Sequence, residues 1–213
     1  MKKTIYLSPE RRPAPHGKYW GMNIYEHNVC CEIAEMMKPL LEGSGFSVII
    51  ANPADTMEKR VAQANALKVN YYMPIHTNAS GNGTTAGTAT GAECLYYGNV
   101  GGASYKANQL VYNELVKLYP SKRGLKNGNA YYENKYTNMV SCYVEIAFHD
   151  NPEDVQFIIS SKQKIAGALA KGVCAYYGLE LNEPNNLKEQ LDKANERALQ
   201  AEAKLEKIKS ILK

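Results

Sequence analysis

The chain has 213 residues, of which 45% are hydrophobic and 22% are charged, with a net charge of +4. These proportions are typical of a folded globular protein, and the length accommodates one sizeable α/β domain and a short appendage. The positive charge divides equally between residues 186–213 and the rest of the chain. Neither part is a basic arm, so nucleic acid is a poor candidate for the partner.

The cysteines indicate neither a disulfide framework nor a thiolate metal site. Their number is five, which is odd, and no pair has the Cys-x-x-Cys spacing. Cys94, Cys142 and Cys174 lie in apolar runs, so we expect buried thiols there. This usage is typical of a protein made in a reducing compartment.

The sequence gives no sign of a membrane span or a signal peptide. No stretch reaches the roughly 18 apolar residues that a transmembrane helix needs. The basic start, Met1-Lys2-Lys3, resembles a signal n-region, but Pro9-Glu10-Arg11-Arg12 follows too soon for an apolar core. We therefore interpret residues 4–7 as a first strand.

Short apolar runs alternate with stretches of helical periodicity along most of the chain. Strands are predicted at residues 4–7, 46–51, 70–76, 92–97 and 141–148. Helices are predicted at residues 24–42, 56–67 and 103–118, and one or two more within residues 153–178. This alternation predicts an α/β fold with a mostly parallel sheet and helices on both faces. Ligands bind such sheets beyond the carboxyl ends of the strands.

Two polar side chains interrupt the apolar strands. His76 comes just past the apolar run at residues 73–75, and Glu145 lies inside the run at residues 143–148. A charged group so placed costs several kcal/mol unless it is paired or binds a metal. If the two strands are parallel and adjacent, both side chains reach one crevice. The glycine-rich residues 77–91 predict a mobile loop bordering it.

The histidines and nearby carboxylates suggest a catalytic zinc site, which needs three protein ligands and an open position for water. The chain has four histidines: His16, His27, His76 and His149. His76 is the best ligand candidate. Glu26 and His27 are adjacent at the start of the first helix and point about 100° apart, so we expect only one of them to bind, with Glu26 the candidate. His16 then completes a His/Glu/His set, and Glu145 is the candidate proton carrier.

These residues occur in an order that resembles the zinc-dependent N-acetylmuramoyl-L-alanine amidases, which cut bacterial peptidoglycan. The resemblance covers roughly residues 3–179. Its elements are His16, Glu26, Gly45-Phe46, Arg60 through Asn65, Ile75-His76-Thr77-Asn78-Ala79, Arg123-Gly124, Val144-Glu145, Phe148 and Asn151. Many members have Gly-His-Gly directly after the first strand, where this chain has Ser8-Pro9-Glu10. Glu10 and His27 therefore remain alternatives to His16.

The resemblance implies one Zn²⁺ ion held by His16, Glu26 and His76, with Glu145 as general acid and base. It also places Asn78 beside the site. His149, just past the last strand, is a candidate for substrate contact, with a structural role as the alternative.

The implied reaction is hydrolysis of the amide between the lactyl group of N-acetylmuramic acid and L-alanine of the stem peptide. The implied partner is thus peptidoglycan. An enzyme of the endolysin or autolysin type, made in the cytoplasm and acting on the cell wall, fits these features. Two alternatives remain: a zinc peptidase that cuts within the stem peptide, and an inactive wall-binding or oligomerising module.

The C-terminal segment forms a separate unit in this interpretation. Residues 1–181 are predicted to be the catalytic domain and residues 186–213 a helix. The helix has a heptad seam of Leu187, Leu191, Ala194, Ala198, Ala201, Leu205, Ile208 and Leu212. The seam is short and rich in alanine, so the segment predicts either a weak coiled coil that forms a homo-oligomer or a helix packed on its own domain.

Overall fold

A computed structural model describes residues 2–11, 17–81, 84–121 and 123–182. The strands are β1 (Thr4–Pro9), β2 (Ser47–Ile50), β3 (Tyr71–Asn78), β4 (Glu93–Tyr96), β5 (Leu125–Asn127), β6 (Val140–Ser141) and β7 (Tyr143–Phe148). The helices are α1 (Glu26–Gly43), α2 (Met57–Ala66), α3 (Ala103–Leu118), α4 (Tyr132–Lys135) and α5 (Pro152–Tyr176). The heptad helix predicted at residues 186–213 lies outside the described residues, so its role in self-association stays a prediction.

The strands form one mixed sheet in the order β2-β1-β3-β7-β4-β5, with β6 pairing with β3. Every neighbouring pair is parallel except β4 and β7, which run antiparallel. The carboxyl ends of β1, β3 and β7 therefore lie at the same edge of the sheet as the amino ends of β4 and β5. This confirms the predicted α/β class with a mostly parallel sheet.

Helices cover both faces because the strand side chains alternate between two apolar clusters. Ile5 and Met73 belong to the larger cluster, together with apolar residues of α1, α3 and α5. Tyr6 and Tyr72 belong to the smaller cluster, which includes Val61 of α2. The helix α4 lies against α2, so it sits on the smaller cluster's side.

Local signals explain where two of the helices begin. The Thr56 hydroxyl accepts a hydrogen bond from the Lys59 backbone N–H and caps α2. The Asn151 side chain accepts from the N–H groups of Glu153 and Asp154, and Pro152 occupies the first helical position of α5. The helix predicted within residues 153–178 is thus one continuous helix.

The short elements β5 and α4 were not predicted, since they have only three and four residues and no periodic pattern emerges over that length. The strand predicted at residues 141–148 is divided between the end of β6 and β7. All five cysteines are buried free thiols, which confirms the expectation for Cys94, Cys142 and Cys174. Among the described residues, no helix combines the length and apolar character that a bilayer crossing requires.

Candidate metal centre and active site

The centre of the site is set by the pairing of β3 with β7. His76 and Glu145 are partners in the parallel register of these two strands. Partners on adjacent strands project from the same face of a sheet. The two side chains predicted to carry the chemistry therefore share one face at the carboxyl edge. A bulge after His76 shifts the register before Asn78 pairs with Phe148, as is common next to active sites.

Two carboxylates converge on the His76 ring. Its Nδ1 lies 3.0 Å from Glu10 Oε2 and 3.3 Å from Glu26 Oε1. One donor atom from each of the three residues lies within 4.8 Å of the others, and all three residues are largely buried. Glu10 directly follows β1, where its N–H donates to Ile75 O. The site thus draws its donors from the ends of β1 and β3 and the start of α1.

Glu26 is fixed by backbone contacts on two sides. Its N–H donates to Gly17 O at 2.8 Å, and its Oε1 accepts from the Thr77 N–H at 2.7 Å. Gly17 has a φ of +75°, and a Cβ there would lie 2.7 Å from Glu26 Cβ. Only glycine fits this position without displacing the carboxylate.

The structure treats the candidate ligands differently. His76 and Glu26 are brought together as expected, and the third member of the described cluster is Glu10, which the sequence offered only as an alternative. His27 is not in this cluster, and its ring stacks on Tyr25 with centroids 6.1 Å apart. His16 lies outside the described residues, so its role as a ligand stays a prediction.

Glu133 contacts the far side of the His76 ring and was not predicted. Its side chain is 2% exposed, and its Oε1 accepts from the Ser8 hydroxyl at 2.6 Å and the Tyr72 hydroxyl at 2.7 Å. Its Oε2 lies 3.6 Å from His76 Nε2. The His76 ring also stacks on Tyr143, with centroids 4.7 Å apart. A carboxylate behind a metal-binding histidine orients the ring and increases its basicity.

The charges around His76 shift its pKa and that of Glu133 in opposite directions. Burial by itself lowers the pKa of His76, but Glu10, Glu133 and Glu26 raise it well above its ordinary value. Burial by itself raises the pKa of Glu133, but His76, Ser8 and Tyr72 lower it. The metal-free pocket therefore favours an imidazolium ringed by carboxylates. A divalent cation that binds His76 has to displace this proton, so metal binding releases it.

Replacing Glu133 with glutamine is expected to weaken metal binding about 10–100-fold, the usual cost of removing such a supporting carboxylate. Glutamine keeps an acceptor for Ser8 and Tyr72 but removes the negative charge behind the ring. Zinc affinity measured by competition with a chromogenic chelator checks this. Glu35→Gln, at an exposed position of α1, is the matched control. Equal zinc affinity in both variants contradicts the role given to Glu133.

Glu145 has the environment of a group that exchanges protons near neutral pH. It is 8% exposed, and its Oε2 has no hydrogen-bond partner among the described residues. Burial raises its pKa from 4.5 to about 8; His76 counteracts this, whereas Glu26, Glu93 and Glu10 add to it. General acids and bases work best with a pKa near the operating pH.

Asn78 contacts a second carboxylate network beside Glu145. Its Nδ2 donates to Glu93 Oε1 at 2.9 Å, while Glu93 Oε2 accepts from Arg123 Nε at 2.7 Å. Glu93 on β4 is the antiparallel partner of Glu145 on β7. Asn78, two residues after His76 on β3, therefore holds Glu93, which pairs with Glu145 in the sheet.

His149 lies between the site and a neighbouring cleft. Its Nδ1 is 3.1 Å from Thr77 Oγ1 and 3.0 Å from Thr77 O, and its ring stacks on Tyr19. The cleft has a volume of about 760 Å³ and is lined partly by His149 and Trp20. Tyr19 is 1% exposed and packs its loop onto the domain, whereas Trp20 is 36% exposed.

The start of the glycine-rich segment after β3 is held by Asp150. The N–H groups of Ser80 and Gly81 donate to Asp150 Oδ2, and the Gly87 N–H donates to Asp150 O. The sequence predicted a mobile loop here. In the described residues, three backbone N–H groups of this segment donate to Asp150 and tie the segment to the turn after β7.

The residues of the cluster fit a divalent cation. One imidazole and two carboxylates supply a nitrogen and two oxygen donors, and such buried carboxylates are costly without a cation to pair them. Glu145 Oε2, which has no partner in the described ranges, adds a polar atom to the same pocket. A mostly parallel α/β sheet with these groups at its carboxyl edge has the components of a hydrolase active site.

The chain belongs to the N-acetylmuramoyl-L-alanine amidase family, whose model matches residues 14–175. It is 27% identical over 180 residues to the N-acetylmuramoyl-L-alanine amidase LytC of Bacillus subtilis, covering 82% of this chain and 36% of that protein. It is 28% identical over 181 residues to the B. subtilis protein YqiI, covering 82% of this chain and 85% of that protein. The chain thus spans about a third of LytC and most of YqiI.

Solved structures show the same fold. The crystal structure of an N-acetylmuramoyl-L-alanine amidase from Clostridium difficile 630 aligns with a TM-score of 0.74 at 24% identity, covering 83% of this chain and 97% of that chain. The N-acetylmuramoyl-L-alanine amidase AmiC2 of Nostoc punctiforme aligns with a TM-score of 0.73 at 21% identity, covering 84% of this chain and 98% of that chain. These alignments confirm the fold class predicted from the sequence.

Proposed function

We propose that the protein is a peptidoglycan hydrolase that cleaves the amide between N-acetylmuramic acid and L-alanine with the help of one zinc ion. The observation that carries this proposal is the register of β3 and β7, which sets Glu145 beside His76, in a chain of the amidase family. LytC, one of the relatives, is named for this activity.

The metal would be held by His76 and Glu26, with Glu10 or His16 as the third ligand. His76, Glu26 and Glu10 are the three residues whose donor atoms converge. When bound, zinc supplies a Lewis acid for the scissile carbonyl and lowers the pKa of a water molecule towards roughly 7. Glu133 and Tyr143 hold the imidazole so that Nδ1 faces the cluster.

Glu145 moves the protons in this proposal. Its carboxylate accepts a proton from the attacking water and then donates it to the alanine nitrogen as the C–N bond breaks. Its Oε2 has no hydrogen-bond partner within the described part of the chain, so it has the capacity to bond the water and the leaving nitrogen. A pKa of about 8 in the metal-free pocket falls when a cation is bound nearby, which brings the carboxyl towards its ionised, proton-accepting form.

Asn78 and His149 are proposed to contribute to substrate binding in different ways, Asn78 indirectly and His149 by direct contact. Asn78 positions Glu93, which is beside Glu145 in the sheet. His149 and the exposed Trp20 line the cleft, and two of its lining residues contact the site, Gly17 through Glu26 and His149 through Thr77. An aromatic face at the wall of a polar cleft is suited to a sugar ring, so this cleft is the candidate position for the glycan.

The site of action in this proposal is the bacterial cell wall, where the enzyme functions as an autolysin or an endolysin. The net charge of +4 is compatible with an anionic wall surface. A peptidase that cuts within the stem peptide is the rival, since the same cluster and Glu145 would serve it equally well.

Mass spectrometry of digested peptidoglycan tests the proposal directly. Purified wall incubated with the zinc-supplemented protein is expected to release intact stem peptides with a free L-alanine amine. Shortened stems would instead identify a peptidase. Glu145→Gln, treated identically, is the control for contaminating hydrolases. Failure of the zinc-supplemented protein to release any peptide from several wall types would favour an inactive binding module.

A further inference from the structure

A second pocket lies at the same edge of the sheet, beyond Glu145, and is lined by basic residues. Its volume is about 530 Å³, and its lining residues are Thr90, Pro120, Ser121, Arg123 and Lys126. Among these described lining residues, two side chains are cations and none is an acid. Such a lining favours an anionic ligand.

Arg123 is held so that part of its guanidinium is available to a ligand. Its Nε donates to Glu93 Oε2 at 2.7 Å, and its Cζ lies 4.6 Å from the centre of the Phe148 ring. Neither Nη atom has a hydrogen-bond acceptor among the described residues, and the side chain is 32% exposed. An immobilised guanidinium with free Nη groups has the fork geometry that binds a carboxylate through two parallel hydrogen bonds.

The sheet topology links this pocket to the reacting groups. Along the edge, the strands carry His76 on β3, Glu145 on β7 and Glu93 on β4, with Arg123 just before β5. Neighbouring strands are about 4.8 Å apart, so β5 lies roughly 10 Å from β7. An extended peptide advances about 3.5 Å per residue. A peptide leaving the site in this direction would bring one of its first three or so residues to the pocket.

We propose that this pocket binds a carboxylate of the stem peptide on the leaving-group side of the scissile amide, with Arg123 as its main donor and Lys126 as a second cation. The inference rests on the proposed amidase function and specifies which part of the substrate it recognises. Glu93 serves both ends of the arrangement, since it fixes Arg123 and lies beside Glu145.

The test uses two synthetic N-acetylmuramoyl peptides that differ only in the residue after L-alanine, glutamate in one and glutamine in the other. The zinc-loaded protein is expected to show a kcat/KM at least about 10-fold higher for the glutamate substrate, the effect typical of a charge-assisted hydrogen bond. Arg123→Gln is expected to bring this ratio close to 1, and Arg123→Lys to retain part of it. Lys106→Gln, at an exposed position of α3, is the control and keeps the full ratio.

The outcomes separate the inference from the function on which it rests. Equal rates for the two substrates with the unmodified protein overturn the carboxylate pocket while leaving the amidase function intact. An Arg123→Gln variant that loses activity but keeps the full ratio also overturns the inference, because Arg123 would then support only Glu93 and Glu145. If the unmodified protein cleaves neither substrate nor intact peptidoglycan, the amidase proposal and the inference both fail.

Discussion

Glu145→Gln is expected to lower the rate of peptidoglycan hydrolysis by about 10²–10⁴-fold, which is the usual contribution of a general acid and base. Glutamine has nearly the same shape but neither accepts the water proton nor protonates the leaving nitrogen. Release of free L-alanine amines from purified peptidoglycan measures the effect. Glu35→Gln, on the exposed side of α1, is expected to retain full activity. Hydrolysis at the normal rate by Glu145→Gln would remove Glu145 from the mechanism.

The same substitution is expected to stabilise the metal-free protein. Because the pKa of Glu145 is raised from 4.5 to about 8 in the folded state, the folded protein retains a proton that the unfolded chain loses above pH 4.5. The free energy of unfolding therefore falls as the pH rises from about 4.5 to about 8. At pH 7 the penalty is on the order of 3 kcal/mol. Glutamine does not ionise and removes it.

Thermal unfolding in the presence of a chelator measures this stabilisation. The Tm of Glu145→Gln is expected to exceed that of the unmodified protein at pH 8, and the difference is expected to shrink towards pH 5. A difference in Tm that is the same at both pH values contradicts the protonation argument. A site that gains stability when its reactive group is removed is the usual signature of a catalytic residue held in an unfavourable environment.

Substitution of the metal ligands is expected to produce the second large effect. Loss of a residue that only supports a ligand lowers metal affinity by up to about 100-fold. His76→Ala and Glu26→Ala should each lower zinc affinity by more than that, because each removes a direct donor. Chelation should abolish hydrolysis by the unmodified protein, and added zinc should restore it. Metal content after dialysis and zinc affinity by chelator competition provide the measurements.

The third ligand is identified by comparing Glu10→Ala, His16→Ala and His27→Ala. The 3.0 Å contact of Glu10 with His76 Nδ1 leads us to expect weaker zinc binding in Glu10→Ala. His27 lies outside the cluster, so His27→Ala is expected to bind zinc normally and serves as the matched histidine control. Loss of zinc in His27→Ala together with normal binding in Glu10→Ala would contradict the cluster. A parallel loss in His16→Ala would add an imidazole to the donor set.

The sequence by itself determined the fold class and predicted the two central residues of the candidate site. Hydrophobic periodicity located every long strand and helix, because burying one face of each element requires that pattern. It also marked His76 and Glu145, since a polar group inside an apolar strand is costly unless it has a function. The two side chains were expected to reach one crevice if their strands were parallel neighbours, and the register of β3 and β7 confirms that they are.

Only the tertiary structure decided which other residues surround these two. Ser8 and Glu133 are 125 positions apart in the chain yet hydrogen-bonded, and Glu133 belongs to a four-residue helix too short to produce a periodic signal. Glu10 and Arg123 likewise follow or precede strands in loops, where no repeat fixes the direction of a side chain. Periodicity reports which face of an element is buried, whereas the approach of polar groups from distant loops depends on how the sheet is ordered and closed at its edge.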